Sequence, residues 1–302
     1  MTLEPDERVP LAAYTTMHVG GPARFMARPR NPMELKAWLT WADERGLPWL
    51  ILGEGSNVLI ADHGFDGLVI INRRQPAATD FVVVAVGDDV HVRVDAGESL
   101  AALVRWSVMQ GLTGLEWAAG IPGTIGGALA GNAGAFGGSM ADVVVSAEIG
   151  WESGDSHCLS VTELNLTYRR CELLRADESL AVLWVIVGLK VDRRIDCQAR
   201  VAEHLQRRRD TQPGGYSAGS IFRNPEGKYA GALIERCGLK GVGVGGAFIS
   251  ERHANFIINC GNATTADVLT LMNRARRAVL QRFGVLLEPE VRLIGDIGLE
   301  EL

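Results

Sequence analysis

The chain has 302 residues, with 47% apolar and 22% charged positions, which is the make-up of an ordinary globular protein with room for two or three cores. A formal charge of -6 gives no chain-wide attraction to nucleic acid or to an acidic membrane, so neither is expected as a partner. Five scattered cysteines without a CxxC pair, and six isolated histidines, exclude a disulfide frame and a metal centre of recognisable spacing.

Met1 to Pro10 is acidic and polar, so no secretory signal is expected. The longest apolar run, Ala181 to Leu189, is too short to span a bilayer, and a cytoplasmic protein is the expectation. Tyr14 to Gly21 reads as a polar entry loop. Asn31-Pro32-Met33-Glu34 carries the cap, proline and glutamate of a helix start, and Leu35, Trp38, Leu39 and Ala42 follow at helical spacing until Gly46. Pro48 to Leu52 reads as a strand that runs into Gly53-Glu54-Gly55-Ser56-Asn57. The dinucleotide fingerprint fails here, because Val58 stands at the third glycine and Val58 to Ala61 is too short and apolar for the required helix. The loop remains able to hold a pyrophosphate through its N–H groups and hydroxyl. No GxxxxGK[ST] occurs.

Leu68 to Ile71, Phe81 to Val86 and Val90 to Val94 read as strands, and Leu100 to Gln110 as a helix stopped by Gly111. The chain then enters a run in which eight of the nineteen positions from Gly120 to Gly138 are glycine. Ile121, Ile125, Leu129 and Phe136 punctuate it, so it is not a flexible linker. Two readings stand: a backbone wall that approaches a flat or charged ligand, or a packing and turn region with no ligand. Val143 to Trp151 and Leu180 to Val191 read as long strands joined by a short polar connection. A charged helix over Ile195 to Arg209 ends in Arg207-Arg208-Arg209, either a solvated face or a phosphate contact. Asp210 to Gly215 reads as a seam. A short helix near Ala230 to Cys237, a strand over Asn255 to Asn259, a helix from Thr264 to Phe283 with Asp267 in its capping box, and Leu287 to Ile294 complete the chain. The fold class is α+β.

Arg169 after a strand-like segment, Ser220 between Gly219 and Ile221, and Glu290 between Pro289 and Val291 stand in surroundings unlike those of ordinary surface residues. Each has a bland alternative: a surface ion pair, a turn serine and a solvated glutamate. With no histidine, cysteine or carboxylate spacing that fits a metal, any catalysis points to an organic cofactor.

These motifs together resemble the UDP-N-acetylenolpyruvoylglucosamine reductase family. Leu52 to Asn57, Gly114 to Ala128 and Asn132 to Gly137 are similar to its flavin motifs. Ser217 to Pro225, Leu239-Lys240-Gly241, His253 to Ile257 and Leu287 to Arg292 are similar to its substrate-domain motifs, in the same order from Tyr14 to Gly295. The resemblance implies an FAD-binding domain of the vanillyl-alcohol-oxidase type over residues 1–194, in two subdomains of about 1–72 and 73–194, and a C-terminal α+β substrate domain over 195–302. It implies FAD as cofactor and NADPH as co-substrate. The implied reaction reduces the enolpyruvyl group of UDP-N-acetylglucosamine enolpyruvate in peptidoglycan precursor synthesis, with no obligate protein partner. Carried over, Arg169, Ser220 and Glu290 are catalytic. Gly53, Glu54, Gly55, Ser56, Asn57, Ile121, Pro122, Gly123, Thr124, Gly126, Gly127, Ala128, Asn132 and Ala133 bind the cofactor. Tyr168, Arg223, Asn224 and His253 bind substrate.

Several positions depart from the family pattern. The connection after Tyr168-Arg169 is short, as in the subgroup lacking the longer substrate-covering loop. Cys171 stands at a usual serine, Thr211 at an expected lysine, and Arg223 replaces a lysine. The alternatives are an FAD-dependent sugar or alcohol oxidase or dehydrogenase of the same fold, and a nucleotide-binding module without redox chemistry.

Overall fold

A computed structural model describes residues 3–74, 81–87, 89–151 and 153–302, so the start of the acidic N-terminal run (Met1 and Thr2) lies outside the described residues. Two compact units divide the chain. The first comprises Met26–Gly53 and Leu68–Arg208 with the N-terminal residues up to Pro5. The second comprises Asp6–Phe25, Glu54–Gly67 and Arg209–Leu302. The chain passes from one unit to the other at Pro5/Asp6, Phe25/Met26, Gly53/Glu54, Gly67/Leu68 and, within the helix Arg194–Thr211, at Arg208/Arg209.

The first unit is built on an antiparallel sheet of six strands. Ser156–Ser160, Val144–Trp151, Leu180–Val191, Val90–Asp95 and Val82–Val86 lie in that spatial order, and Leu112–Thr113 pairs with the end of Leu180–Val191. The long apolar strand is central because both of its edges are paired, and its N-terminal half is almost wholly buried. Val90–Asp95 alternates as its sequence does, with Val90, Val92 and Val94 turned into the core. Leu100, Leu103, Ile125 and Leu129, each 0% exposed, pack in the same core.

Local signals set the helices. Asn31 accepts from Glu34 N at 2.9 Å to open Pro32–Asp43, and Ser99 opens Leu100–Met109, which Gly111 (φ +68°) ends. The connection between Trp151 and Leu180, expected to be short and polar, is structured. It holds the strand Ser156–Ser160, a helix Val161–Leu164 with a full Ser160/Glu163 capping box, a hairpin of Leu166–Thr167 with Arg170–Cys171, and a helix Glu172–Ala176. The strands Trp49–Leu52 and Phe65–Ile71 run parallel.

The second unit packs the helices Ala230–Arg236 and Thr265–Phe283 with a sheet of Gly243–Val244, Ala247–Ile249 and Ile257–Asn259. Thr264 and Asp267 form the capping box expected of them, and Gly284 (φ +65°) closes the helix. The Tyr14–Gly21 segment, expected as a polar entry loop, is drawn into the core: Thr15, Met17 and Val19 are buried, and Met17, Val19 and Leu59 join Phe222, Ile249, Leu271 and Met272. Val58–Ile60 is a strand, paired in parallel with Arg292–Ile294. The Asp62 carboxylate accepts from Thr265 N at 2.8 Å and Ala266 N at 3.0 Å, tying this early segment to the late helix. Among the described residues no helix is long and apolar enough to cross a membrane.

Candidate active site

In the first unit, four chain segments gather where the parallel strands Trp49–Leu52 and Phe65–Ile71 end. Asn72 N donates to Leu52 O (2.9 Å), and Arg74 N to Gly97 O (2.9 Å). The segment Ala96–Leu100 then braces the glycine-rich run, with Gly126 N on Ala96 O (2.8 Å), Ile125 N on Glu98 O (2.8 Å) and Leu100 N on Gly123 O (3.0 Å). Gly53 fits closely against Thr124, whose Oγ1 would stand 2.4 Å from any Cβ at that position. Thr124 caps the helix Ile125–Ala130, which sequence reading did not anticipate.

The structure sorts the glycines of this run. A Cβ on Gly126 would crowd Ala96 Cβ at 3.0 Å, on Gly134 the Gly138 carbonyl at 2.7 Å, and on Gly138 the Trp117 ring at 2.5 Å. Gly120 (φ +75°) lies under the Arg208 side chain. These four are glycine because the protein itself occupies the space. Gly127 is different. It is exposed, and its nearest contact for a Cβ is Thr124 Oγ1 at 3.4 Å. With exposed Pro122 and half-exposed Ile121, Gly123 and Gly126 it leaves a partly open stretch of backbone. The amides of Ile125 and Gly126 are already spent on protein carbonyls, so the stretch offers a flat, close-approach face more than a row of donors. Such a face, beside the Gly53–Thr124 contact, fits a flat dinucleotide cofactor. In the second unit Gly55 (φ +62°) has its own steric reason, since a Cβ there would meet Tyr14 O at 2.2 Å.

The same run holds Arg169. Asn132, 6% exposed, donates from Nδ2 to Thr167 O (2.7 Å) and accepts from Ala141 N (3.0 Å), so both ends of its amide are engaged by backbone. It thereby fixes the hairpin whose two-residue turn is Tyr168-Arg169. Arg169 sits at φ +59°, a strained conformation for a side-chain-bearing residue, and its Nη1 donates to Gly134 O at 2.7 Å. Tyr168 is 58% exposed. Arg208 donates to Ala119 O at 2.8 Å, and burial together with the Arg169 charge disfavours its own charge. Phe136 stacks on His204 at 4.4 Å, with the Arg207 and Arg208 guanidiniums 5.2 and 5.1 Å from its centroid. The basic run at the end of the helix is therefore partly folded onto Phe136, not wholly a solvated face.

Glu116, 6% exposed, anchors that helix to the start of the glycine run. It accepts from Gly114 N (2.8 Å), Thr113 Oγ1 (2.8 Å) and Arg200 (2.8 Å), and Arg200 also reaches Asp192 (2.6 Å). Burial pushes its carboxyl upward, but the Gly114 N–H, the Arg200 guanidinium and the Thr113 hydroxyl outweigh that and hold it below the usual carboxylate range. Sequence reading gave Glu116 and Arg200 no joint role, because 84 residues separate them.

In the second unit Ser220 and Glu290 are brought together. Glu290 N donates to Ile221 O at 2.8 Å, Phe222 bridges Pro289, and Arg223 N donates to Glu288 O at 2.9 Å. Asn255, 4% exposed, holds this register: its Oδ1 accepts from Phe222 N (3.0 Å) and its Nδ2 donates to Phe222 O (2.8 Å). It too was missed, although it lies inside a motif quoted for its neighbours. Ser220, Asn224, His253, Tyr229, Glu235 and Arg252 line a cavity of about 250 Å³. Asn224 Oδ1 accepts from Ala230 N (3.0 Å) at the start of the short helix. His253 Nδ1 accepts from Asn255 N (3.2 Å), and burial holds its imidazole below the ordinary value, helped by the Lys240 charge. Arg223 lies 3.8 Å from the Glu288 carboxylate.

Of the expected catalytic residues, Arg169 thus belongs to the first unit, and Ser220 and Glu290 to the second. Of the expected substrate contacts, Tyr168 belongs to the first unit, and Arg223, Asn224 and His253 to the second. No cluster of three potential metal ligands occurs among the described residues, and all five cysteines are free thiols.

Two family models match the chain: an FAD-binding domain over residues 23–159, and a UDP-N-acetylenolpyruvoylglucosamine reductase C-terminal domain over residues 211–294. UDP-N-acetylenolpyruvoylglucosamine reductase 2 of Symbiobacterium thermophilum is 45% identical over 95% of this chain and 91% of the relative. The reductase of Synechococcus sp. strain JA-3-3Ab is 44% identical over 95% of this chain and 90% of the relative. The crystal structure of the reductase from Thermus caldophilus superposes with a TM-score of 0.82 at 36% identity, covering 97% of this chain and 100% of that one.

Proposed function

Because the chain belongs to the UDP-N-acetylenolpyruvoylglucosamine reductase family, we propose that it reduces the enolpyruvyl group of UDP-N-acetylglucosamine enolpyruvate to UDP-N-acetylmuramate with NADPH, through bound FAD. The reaction belongs to peptidoglycan precursor synthesis, and we place it in the cytoplasm. FAD, when bound, supplies the relay that takes a hydride from NADPH and passes it to the terminal methylene carbon of the enol ether. We assign its hold to residues 1–194, with Gly53 to Asn57, Ile121 to Thr124, Gly126 to Ala128, Asn132 and Ala133 around it. Residues 195–302 we assign chiefly to the UDP-sugar, with Tyr168 added from the earlier part.

Hydride addition throws charge onto the substrate carboxylate. Arg169, planar and permanently protonated, is the electrostatic partner for that charge. Glu290 shares a proton with the same carboxylate oxygens, and the Ser220 hydroxyl delivers a proton to the carbanionic carbon between that carboxylate and the new methyl group. Arg223, Asn224 and His253 orient the UDP-sugar. The observation that carries this reading is the pairing of Ser220–Arg223 with Glu288–Glu290, closed by Glu290 N on Ile221 O at 2.8 Å, which puts a proton donor and a carboxyl on neighbouring backbone.

The test follows NADPH absorbance with flavin-loaded protein. Rapid oxidation that requires the enolpyruvyl UDP-sugar is expected. Rapid oxidation without it, with oxygen as acceptor, would instead make the protein an oxidase of the same fold, and a preparation that takes up no FAD would defeat both.

A further inference from the structure

His253 has one ring nitrogen committed and one open. Its Nδ1 accepts from Asn255 N at 3.2 Å. An accepting nitrogen carries no proton, so the ring is neutral and its hydrogen stands on Nε2. Among the described residues Nε2 makes no hydrogen bond. The ring is half-buried and lines the cavity that Ser220 and Asn224 also line, so a ligand there can meet it.

The protein holds the ring in this setting. Phe256 packs against it edge-on, with centroids 5.0 Å apart, and Gly231 leaves it space, since a Cβ there would lie 3.0 Å from Cε1. Ser250 Oγ accepts from Arg252 N (3.1 Å) and His253 N (3.3 Å), and Phe256 N donates to His253 O (3.0 Å), which closes the turn around it. Half a turn of the ring would set a carbon where Nδ1 accepts and leave the N–H of Asn255, a residue 4% exposed, unpaired. Burial favours the neutral ring. Lys240 opposes a charge on it and Glu235 favours one, and those two are paired with each other at 2.6 Å. Arg252 is the further charged residue on the cavity wall. Asn224 spends its Oδ1 on Ala230 N (3.0 Å), which leaves its Nδ2 as a second donor, and the Ser220 hydroxyl makes no hydrogen bond among the described residues.

We propose that His253 is a fixed N–H donor, locked in its Nε2-protonated form by the backbone of Asn255, that it binds an acceptor oxygen of the UDP-sugar alongside the Asn224 amide, and that it is not the proton source for Ser220. The inference rests on the reductase reading above and gives that site a protonation state. Loss of the Nε2 hydrogen would leave an imidazolate, an anion that a half-buried site disfavours. Asn255 is then a positioning residue for both groups. Its N–H sets the tautomer, while its carbonyl accepts from Ile221 N (2.9 Å) and its carboxamide holds Phe222, next to Ser220. The oxygen belongs to one of two parts of the ligand, the uridine half or the sugar half.

Nitrogen-15 NMR near neutral pH reads the tautomer directly, with the His253 signals identified as those missing from His253→Gln. A proton on Nε2 and a bare Nδ1 are expected, and a proton on Nδ1 would overturn the proposal. That measurement is made on the wild type, so it stands even if His253→Leu fails to fold. In turnover with NADPH, His253→Leu should raise KM for the enolpyruvyl UDP-sugar about tenfold with little change in kcat, as loss of one ground-state hydrogen bond does. His253→Gln, whose amide again offers an N–H, should recover most of that loss. A fall in kcat at saturating sugar would make His253 a relay to Ser220, and Gln no better than Leu would remove its role as a donor; either result overturns the proposal. Inhibition by UMP and by N-acetylglucosamine 1-phosphate locates the oxygen. A parallel weakening of the first by His253→Leu places it in the uridine half, of the second in the sugar half, and of neither would count against binding. Wild-type protein without sugar-dependent NADPH oxidation would remove the reductase reading, and the ligand named here with it, whatever the tautomer.

Discussion

The Asn57 carboxamide donates to the Glu290 carbonyl oxygen at 3.2 Å, and Arg292 N returns a bond to Asn57 O at 3.0 Å. The last residue of the glycine-serine loop is therefore built into the strand pair that carries the proposed carboxyl. Asn57→Ala should act on substrate reduction through Glu290 and cost about 1 kcal/mol of stability, as one partly exposed hydrogen bond does. Asn57→Asp should be worse, because an acceptor would then face the Glu290 carbonyl. Stopped-flow measurement of the two half-reactions checks this: a loss confined to flavin reduction by NADPH would contradict it.

Ser220→Ala should keep reduction of the flavin by NADPH and lose the step that consumes the enolpyruvyl sugar. The hydroxyl lines the cavity shared by Asn224 and His253, and its removal takes away a proton donor without changing the backbone register that Asn255 holds. If both half-reactions fell equally in single-turnover experiments, Ser220 would be structural.

Glu116→Gln should destabilise the protein by about 1–2 kcal/mol near neutrality. That is less than a fully buried pair, because Arg200 keeps 39% of its side chain in solvent. The carboxyl is held below its ordinary value of 4.5, so its contribution is complete above that pH and is lost as pH falls through the depressed folded-state value. Urea unfolding of both proteins should show curves that converge in acid; a gap that widens below pH 4.5 would reverse the assignment.

His253 carries the opposite charge change with the same direction in pH. Burial favours its neutral form, so the folded state resists protonation. Relative to His253→Gln, which cannot titrate, the wild type should lose stability as pH falls below about 6.5, and hold a constant difference above it. The same lowered value should appear in an NMR titration of its Cε1 proton, and a midpoint above 6.5 would exclude it.

The parts of this fold that were legible in the sequence are those set by near neighbours. Asn31, the Thr264/Asp267 box and the alternation of Val90 to Val94 each act within one turn or one strand, and each element formed where expected. The glycines were legible as a peculiarity but not as a mechanism. Whether Gly53 faces a ligand or Thr124, and Gly138 a ligand or Trp117, depends on residues far away in the chain. Distance along the chain likewise hid the membership of Asp6–Phe25 and Glu54–Gly67 in the second unit, since burial of Met17 and Leu59 is decided by Phe222 and the helix Thr265–Phe283. Ser220 and Glu290 could be named from their motifs. That their segments pair is a fact of tertiary hydrogen bonding that no local pattern announces.

Two glycines of the same run should answer alanine in opposite ways. Gly138→Ala drives a methyl to 2.5 Å from the Trp117 ring, and overpacking of that kind should cost about 1–3 kcal/mol with or without flavin. Gly127 is an exposed helical position with no contact closer than 3.4 Å, so Gly127→Ala should stabilise the flavin-free protein by about 0.5–1 kcal/mol through its lower backbone entropy. If the partly open stretch from Ile121 to Gly127 is where the cofactor approaches, the same methyl should weaken FAD binding. Thermal melts with and without FAD read both effects at once: Gly127→Ala should raise the melting temperature of the flavin-free protein and shrink the further rise that FAD brings. A variant that gains in both states would assign Gly127 to the helix alone and move the cofactor off this face.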